Sequence, residues 1–103
     1  MGTFEVTYYS AYDGAQVGIT RGGTNMANGN IHTSDGYRII ASDLSVIPLG
    51  TIVRVTTGNG ESFLAKVDDS GGAIVGNKID IAVSSPEEAF RLGRGTATVE
   101  LVK

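Results

Sequence analysis

The sequence predicts a mainly β protein: a small pseudo-symmetric barrel of six strands with one or two short helices. Six separate runs of residues are rich in β-branched and aromatic side chains, as strands are. Fifteen glycines among 103 residues indicate many tight turns, which favours a β-rich fold. A strand–turn–strand unit containing Ile40-Ala41 is echoed later in the chain by a unit containing Ile81-Ala82. Two such copies in a chain of this length predict a barrel built from two similar halves.

The six predicted strands are separated by turn signals. In chain order they are residues 4–9, 37–41, 51–57, 62–67, 78–83 and 96–102. Asn59-Gly60 is the strongest short hairpin signal in the chain, so the third and fourth strands should pair antiparallel. Residues 10–38 are rich in turn dipeptides and contain no strand that we can place. In a compact domain, a stretch of this length is often a binding loop.

One helix is clearly predicted after the fifth strand. Ser85 is a suitable N-cap, Pro86 occupies the first helical position, and Glu88 would complete a capping box with Ser85. Gly93 is a natural C-terminal stop. The apolar side of this helix is expected to consist of Ala89, Phe90 and Leu92. A shorter helical turn is expected at residues 42–45.

Composition excludes several classes of function. With 41% hydrophobic and 18% charged residues, the chain has the composition of an ordinary globular domain. A formal charge of −3 argues against nucleic-acid binding, which needs clustered Lys and Arg. No apolar run approaches the roughly 18 residues of a membrane span. One histidine and no cysteine leave only carboxylates as metal ligands, and the EF-hand spacing is absent, so we expect no metal and no cofactor.

We expect residues 1–103 to form a single domain with a modest core, which a longer protein could carry. The first residues have neither a basic n-region nor an apolar h-region, so no signal peptide is expected in this sequence. The absence of cysteine does not fix the compartment. Host, parent protein and oligomeric state are not readable from these residues.

Residues 67–81 carry the strongest indication of chemistry. The pair Asp68-Asp69 precedes a glycine turn, and Asp80 lies between Ile79 and Ile81 in a predicted strand. A charge at such a position is costly unless it faces water or has a function. Strand periodicity places Asp80 on the face opposite its two isoleucine neighbours. On these residues alone, an ordinary turn and a solvent-facing strand aspartate are the more common interpretations.

Two further polar residues also allow alternatives. Asp43 follows the second strand, where it could cap the next turn, and capping does not exclude a role in an active site. His32 lies in the long loop, where a surface residue is the better interpretation and a catalytic base the less common one. The four tyrosines, at positions 8, 9, 12 and 37, are more often core or rim residues than platforms for sugar rings.

Three segments together resemble a known family. They are residues 40–51 (IASDLSVIPLGT), residues 69–77 (DSGGAIVGN) and residues 79–81 (IDI). They are similar to the three-aspartate (3D) domain of bacterial cell-wall proteins, whose pattern runs IAxDxxxIPLGT and then DTGGAIKGNxIDL. The resemblance covers about residues 37–102, and residues 7–11 and 18–20 resemble the start of the family more loosely. The departures are Ser42 for Val, Ser70 for Thr and Val75 for Lys.

The resemblance implies a double-psi β-barrel, in agreement with the internal echo. It also implies kinship with membrane-bound lytic transglycosylase A and the stationary-phase muralytic factors, which cleave peptidoglycan between N-acetylmuramic acid and N-acetylglucosamine. The three aspartates correspond to Asp43, Asp69 and Asp80, and Asp80 stands at the position of the family's catalytic acid. The implied partner is the peptidoglycan glycan strand. The implied location of the protein is extracellular, in the cell wall or on a phage particle.

In that mechanism Asp80 would act as both acid and base, while Asp69 and Asp43 stay ionised. The role requires a raised pKa, which apolar neighbours or a nearby like charge would produce. The residues expected to contact the sugar are Thr7, Tyr8, Ser70, Gly71, Gly72 and Asn77. Gly71, Gly72 and Gly76 are expected to allow positive φ and close approach of the glycan.

Three functions stay open at this stage. Hydrolysis would need a second carboxylate about 5–5.5 Å away for retention or about 6.5–9.5 Å away for inversion. A non-catalytic glycan-binding barrel would use the same groove, as expansin-like relatives of this fold can. A structural barrel within a phage tail or a cell-wall protein is the third possibility, since fold alone does not decide function.

Overall fold

The computed structural model describes residues 2–10 and 19–102, which form a closed barrel of six strands in the order β1-β5-β2-β4-β3-β6. The strands are β1 Gly2–Tyr9, β2 Arg38–Ser42, β3 Ile52–Thr57, β4 Ser62–Asp69, β5 Lys78–Ala82 and β6 Gly95–Leu101. One α-helix, α1, covers Pro86–Leu92, and a single 3-10 turn covers Ala27–Gly29. The predicted mainly β barrel and its six strands are confirmed.

The barrel consists of two similar halves, as the internal echo predicts. Ile40 on β2 pairs with Ile81 on β5 in an antiparallel register, so the two echoed segments lie side by side. The parallel pair β2–β4 corresponds to the parallel pair β1–β5, and the remaining pairs, β1–β6, β3–β4 and β3–β6, are antiparallel. A closed barrel has no exposed strand edge, so this small domain avoids edge-to-edge association.

The interior is filled by alternate side chains of all six strands. Ile40, Val53, Val67, Ile79 and Val99 are each fully buried there. Burying one such side chain contributes about 1.5–3 kcal/mol, so this cluster dominates the folding energy. Side chains alternate between the two faces of β5. Ile79 and Ile81 therefore point into the core, and Asp80 between them faces outward.

A second, smaller cluster lies outside the barrel wall. Ile39 of β2 and Ala82 of β5 face outward and are covered by Met26, with Tyr9 and Ile31 packed alongside. The long loop predicted for residues 10–38 therefore packs, in its described part, against the outer face of β2 and β5. Tyr12 and the other turn-rich residues from 11 to 18 lie outside the described residues.

Helix α1 begins as predicted, but its apolar side is not buried. Ser85 accepts a hydrogen bond from the Glu88 amide at 3.2 Å. The Glu88 carboxylate accepts hydrogen bonds from the Ser84 amide at 3.3 Å and from the Ser84 hydroxyl at 2.9 Å. In the predicted capping box it would instead accept from the Ser85 amide. Phe90 is 90% exposed, because the closed barrel offers α1 only the surface of β1 to pack against.

The hairpin prediction is confirmed: β3 and β4 pair antiparallel around Asn59-Gly60, and Gly60 takes φ +91°. Within residues 2–10 and 19–102, no helix is both long and apolar enough to cross a membrane.

Candidate functional site

A row of four residues crosses the outer face of the barrel. Thr7 pairs with Asp80, Asp80 pairs with Ala41, and Ala41 pairs with Asp69, on the neighbouring strands β1, β5, β2 and β4. The Thr7 hydroxyl donates to Asp80 Oδ1 at 3.0 Å. Asp80 is half-buried, so it is partly shielded from water while it remains on the surface. The predicted outward direction of Asp80 is confirmed, and Thr7 is brought to it.

A β-bulge at Asp68 interrupts the regular alternation of side chains along β4 at the pair Asp68-Asp69. The register between β2 and β4 shifts at this residue, which leaves Asp68 as the extra residue. Its side chain is buried and accepts a hydrogen bond from the Thr20 hydroxyl at 2.6 Å. The Gly22 amide donates to its carbonyl at 2.8 Å. Asp68 therefore holds the long loop against the end of β4.

Asp69 is surrounded by donors from three segments. The Tyr9 hydroxyl donates to Asp69 Oδ2 at 3.3 Å. The amides of Ser70 and Arg21 donate to Oδ1 at 2.9 Å and 3.2 Å. These hydrogen bonds fix the orientation of the Asp69 carboxylate. The Arg21 guanidinium also donates to the Ser70 hydroxyl at 3.2 Å, which brings a cation to the edge of this acidic group.

The electrostatics at Tyr9 indicate how close the acidic groups are. Burial raises the pKa of Tyr9 well above its ordinary value, and the charge of Asp69 and the hydrogen bond to it raise it further. The charges of Asp80 and Asp68 add smaller increases. The phenol is therefore neutral and able to donate at any physiological pH, and it lies within the field of all three carboxylates.

Asp43 has a different environment. Its Oδ1 accepts from the amide of Ser45 at 3.0 Å and from the hydroxyl of Ser45 at 2.7 Å, which confirms the predicted cap. Its Oδ2 accepts from the Gly76 amide at 2.9 Å. These bonds, the Gly76 amide first, lower the pKa of Asp43 below its ordinary value. Asp43 thus ties the turn after β2 to the glycine loop before β5.

The glycine loop at residues 70–77 approaches the site from one side. Gly71 and Gly72 are exposed, and of the three glycines expected to allow positive φ only Gly76 adopts it, at +71°. In the turn at Gly71 and Gly72, the amide of buried Ile74 donates to the Gly71 carbonyl. Asn77 is exposed, and its carbonyl accepts from the Glu5 amide at 2.9 Å.

Tyr8 is not brought to the aspartates. It packs against the interior cluster, on the face of β1 opposite Thr7 and Tyr9. Burial raises its pKa, and the charge of Glu61 adds to the increase. Strand alternation requires this separation, since Thr7 already faces outward.

Sequence reasoning missed several residues of the site. Tyr9 could have been assigned to it, because it lies two positions after Thr7 and must share its face. Asp68 could not have been assigned to the site, because the alternating sequence pattern does not reveal a bulge. Thr20 and Arg21 lie in a segment without strand periodicity, so nothing in the sequence linked them to Asp68 and Asp69.

The arrangement can bind a polyhydroxyl ligand and move a proton. Carboxylates accept from sugar hydroxyls, while the Thr7, Tyr9 and Ser70 hydroxyls and the Arg21 guanidinium can donate. Among residues 2–10 and 19–102, no three side chains of the metal-ligating types lie close enough to hold a metal ion.

Comparison with known proteins identifies relatives for most of the chain. Residues 38–103 match the model of the 3D domain. The chain is 39% identical over 100 residues to the cell wall-binding protein YocH of Bacillus subtilis (strain 168), covering 97% of this chain and 32% of that protein. It is 43% identical over 82 residues to the SPbeta prophage-derived protein YorM of the same organism, covering 80% of this chain and 33% of that protein. The chain thus spans about a third of each of these relatives.

Solved structures share the barrel. An expansin mutant from Clavibacter michiganensis, crystallised with cellohexaose, has a TM-score of 0.65 and 18% identity over 99% of this chain and 50% of that one. This likeness shows that the fold is the double-psi β-barrel. MltA from E. coli has a TM-score of 0.49 and 30% identity over 62% of this chain and 24% of that chain.

Proposed function

This chain belongs to the 3D domain family, and on that premise we propose that it is a peptidoglycan lytic transglycosylase with Asp80 as its general acid and base. The observation that carries the proposal is the hydrogen bond from Thr7 to Asp80, on an outward face that also holds Asp69. A half-buried carboxylate, oriented by a neighbouring hydroxyl and reachable from the surface, meets the geometric demand on a proton-transfer group.

The reaction needs one proton-transfer group. The Asp80 carboxyl gives its proton to the oxygen of the bond between N-acetylmuramic acid and N-acetylglucosamine, and the bond from that oxygen to the muramic anomeric carbon breaks. The Asp80 carboxylate then takes the proton of the muramic C6 hydroxyl, and the C6 oxygen attacks the anomeric carbon. The products are a free 4-hydroxyl and a 1,6-anhydro end, and Asp80 is protonated again.

The other aspartates have supporting roles in this proposal. Asp69, which accepts hydrogen bonds from two backbone amides and Tyr9, offsets positive charge that develops on the sugar ring. Asp43, whose pKa is lowered, positions the glycine loop through Gly76. Ser70, Gly71, Gly72 and Asn77 form the side along which the glycan lies. The site of action is the cell wall, in keeping with the named roles of the relatives.

The test is the product analysis of a peptidoglycan digest by mass spectrometry. The proposal expects muropeptides with 1,6-anhydro ends. If the muropeptides carry only reducing ends, the protein is a hydrolase and the transglycosylase proposal is wrong.

A second candidate is a non-catalytic glycan-binding module. It is favoured by the relative that is 39% identical to this chain and is named a cell wall-binding protein. This candidate would be selected if the protein sediments with cell walls and releases no muropeptides, with either 1,6-anhydro or reducing ends.

A further inference from the structure

A polar groove lies in the long loop, beside the row of aspartates. Its volume is about 550 Å³, and its described walls come from residues 22–25, 30 and 32–34. A volume of roughly 300–1,000 Å³ is typical of sites for small molecules. Neither the catalytic proposal nor the family match assigns a role to this groove, and the larger part of its wall lies before residue 38, where the family match begins.

The groove is lined by polar side chains that have unused hydrogen-bonding capacity. Asn25 accepts from the Ala27 amide through Oδ1, which leaves its Nδ2 group available. In the part of the chain that the structure describes, the hydroxyls of Thr24 and Ser34 and the ring of His32 have no protein partner. None of the described lining residues is Asp, Glu, Lys or Arg. The described part of the lining therefore offers donors and acceptors without a formal carboxylate, ammonium or guanidinium charge.

Gly22 links a wall of the groove to the strand that carries Asp69. Gly22 lines the groove, and its amide bonds to the Asp68 carbonyl at 2.8 Å. The preceding residue, Arg21, donates its amide to Asp69. A glycan strand that lies across Asp80 and Asp69 would reach the groove with its next sugars.

The groove wall is held in place before any ligand arrives. The Thr20 hydroxyl donates to buried Asp68 and accepts from the Thr24 amide at 2.9 Å. Asp35, which follows the lining residue Ser34 but does not itself line the groove, pairs with Lys66 of β4 at 3.0 Å. A preformed wall reduces the ordering cost of binding.

We propose that this groove is a subsite for an uncharged, N-acetylated sugar of the glycan strand. Hydroxyl and acetamido groups both donate and accept hydrogen bonds without charge, as the lining residues do. Phosphate or carboxylate ligands would call for Arg or Lys, which the described lining lacks. The inference deepens the proposed function and rests on it for the path of the strand.

The experiment measures sugar binding in the Asp80→Asn background, so that no cleavage interferes. The probes are chitotetraose, which carries acetamido groups, and cellotetraose, which does not. Nuclear magnetic resonance should show that chitotetraose shifts the Asn25 side-chain amide and the His32 ring. Ser34→Trp, which fills the groove, should weaken chitotetraose binding by at least about tenfold. The matched control is Thr98→Trp, on the outward face of β6 away from β2 and β5.

Milder variants guard against a folding defect. Ser34→Ala and His32→Ala keep the backbone and should each weaken chitotetraose binding by a few fold. Equal affinity of the Ser34→Trp and Thr98→Trp variants would overturn the inference, as would equal binding of cellotetraose. Saturation of the groove by an isolated stem peptide or by poly(glycerol phosphate) would also overturn it.

Failure of the proposed function has a different signature. If chitotetraose binds in the groove but the chain with Asp80 intact releases no product from peptidoglycan, the groove assignment stands and the catalytic proposal falls. If product is released and Ser34→Trp leaves the KM unchanged, the groove assignment falls and catalysis stands.

Discussion

The Tyr9 hydroxyl on β1 donates to Asp69 Oδ2 on β4 at 3.3 Å, although β5 and β2 lie between these strands in the barrel order. The charge of Asp80 on β5 also raises the Tyr9 pKa. One side chain thus connects both halves of the barrel at the level of the acidic row. Substitutions at four positions test the acidic row and the contacts that support it.

Replacing Asp80 by Asn should abolish muralytic activity while leaving the barrel folded. Asn keeps the size of the side chain and an oxygen that can accept from Thr7, but it cannot donate and recover a proton. General acid–base groups contribute about 10²–10⁴-fold to rate, so product release from cell walls should fall by that order. A thermal unfolding curve is the control for folding. Clearance of cell walls at the wild-type rate would refute the assignment.

Replacing Tyr9 by Phe should cost about 1 kcal/mol of unfolding free energy at neutral pH, the typical net worth of one hydrogen bond. The loss stays small because Asp69 keeps two amide donors. Urea denaturation measures it, and Tyr37→Phe, which leaves the contact with Asp69 in place, is the matched control.

The same variant should change stability in alkali. The folded pKa of Tyr9 is raised, so its contribution is fully present below the unfolded pKa of about 10 and is lost as the pH rises above that value. Wild-type protein should therefore lose unfolding free energy above about pH 10, and Tyr9→Phe should lose less. Parallel curves for the two proteins across this range would contradict the assigned environment of Tyr9.

Replacing Asp43 by Asn should loosen the glycine loop and remove an acid-sensitive source of stability. The folded pKa of Asp43 is lowered, so its contribution is present above the unfolded pKa of about 3.9 and is lost as the pH falls through the folded value. The melting temperature of the variant should be lower at pH 7, and the difference should shrink below about pH 4.

Hydrogen exchange reports on this contact directly. The Gly76 amide should exchange faster in Asp43→Asn, because its acceptor has lost its charge. Glu100→Gln, an exposed change on β6, is the control for removing a carboxylate. Unchanged protection of Gly76 would show that the bond does not hold the loop.

Replacing Gly22 by Ala should destabilise the protein by about 1–3 kcal/mol, a typical cost of overpacking. A Cβ at Gly22 would lie 2.1 Å from Asp68 Oδ1, and that carboxylate is buried and held by Thr20. Gly72→Ala is the matched control, because a Cβ there meets nothing within 4 Å and its φ is not positive. Equal urea midpoints for the two variants would mean that the loop at Gly22 moves away from Asp68 without a loss of stability, which would contradict the prediction.

Much of this architecture was predictable from residue patterns. The strands, the hairpin at Asn59-Gly60 and the N-cap at Ser85 depend on local preferences, which act over a few residues. The outward direction of Asp80 depends only on the period of two along β5. The echo between Ile40 and Ile81 predicted two halves, and the structure pairs these two residues directly.

Other features were decided by tertiary structure alone. The bulge at Asp68, the reach of Tyr9 to Asp69 and the contact of Thr20 with Asp68 join segments far apart in sequence. No local pattern encodes such contacts, because they depend on which strands the closed barrel places side by side. Barrel closure also explains the exposed Phe90: an interior already filled by the strands has no room for the apolar side of a short helix.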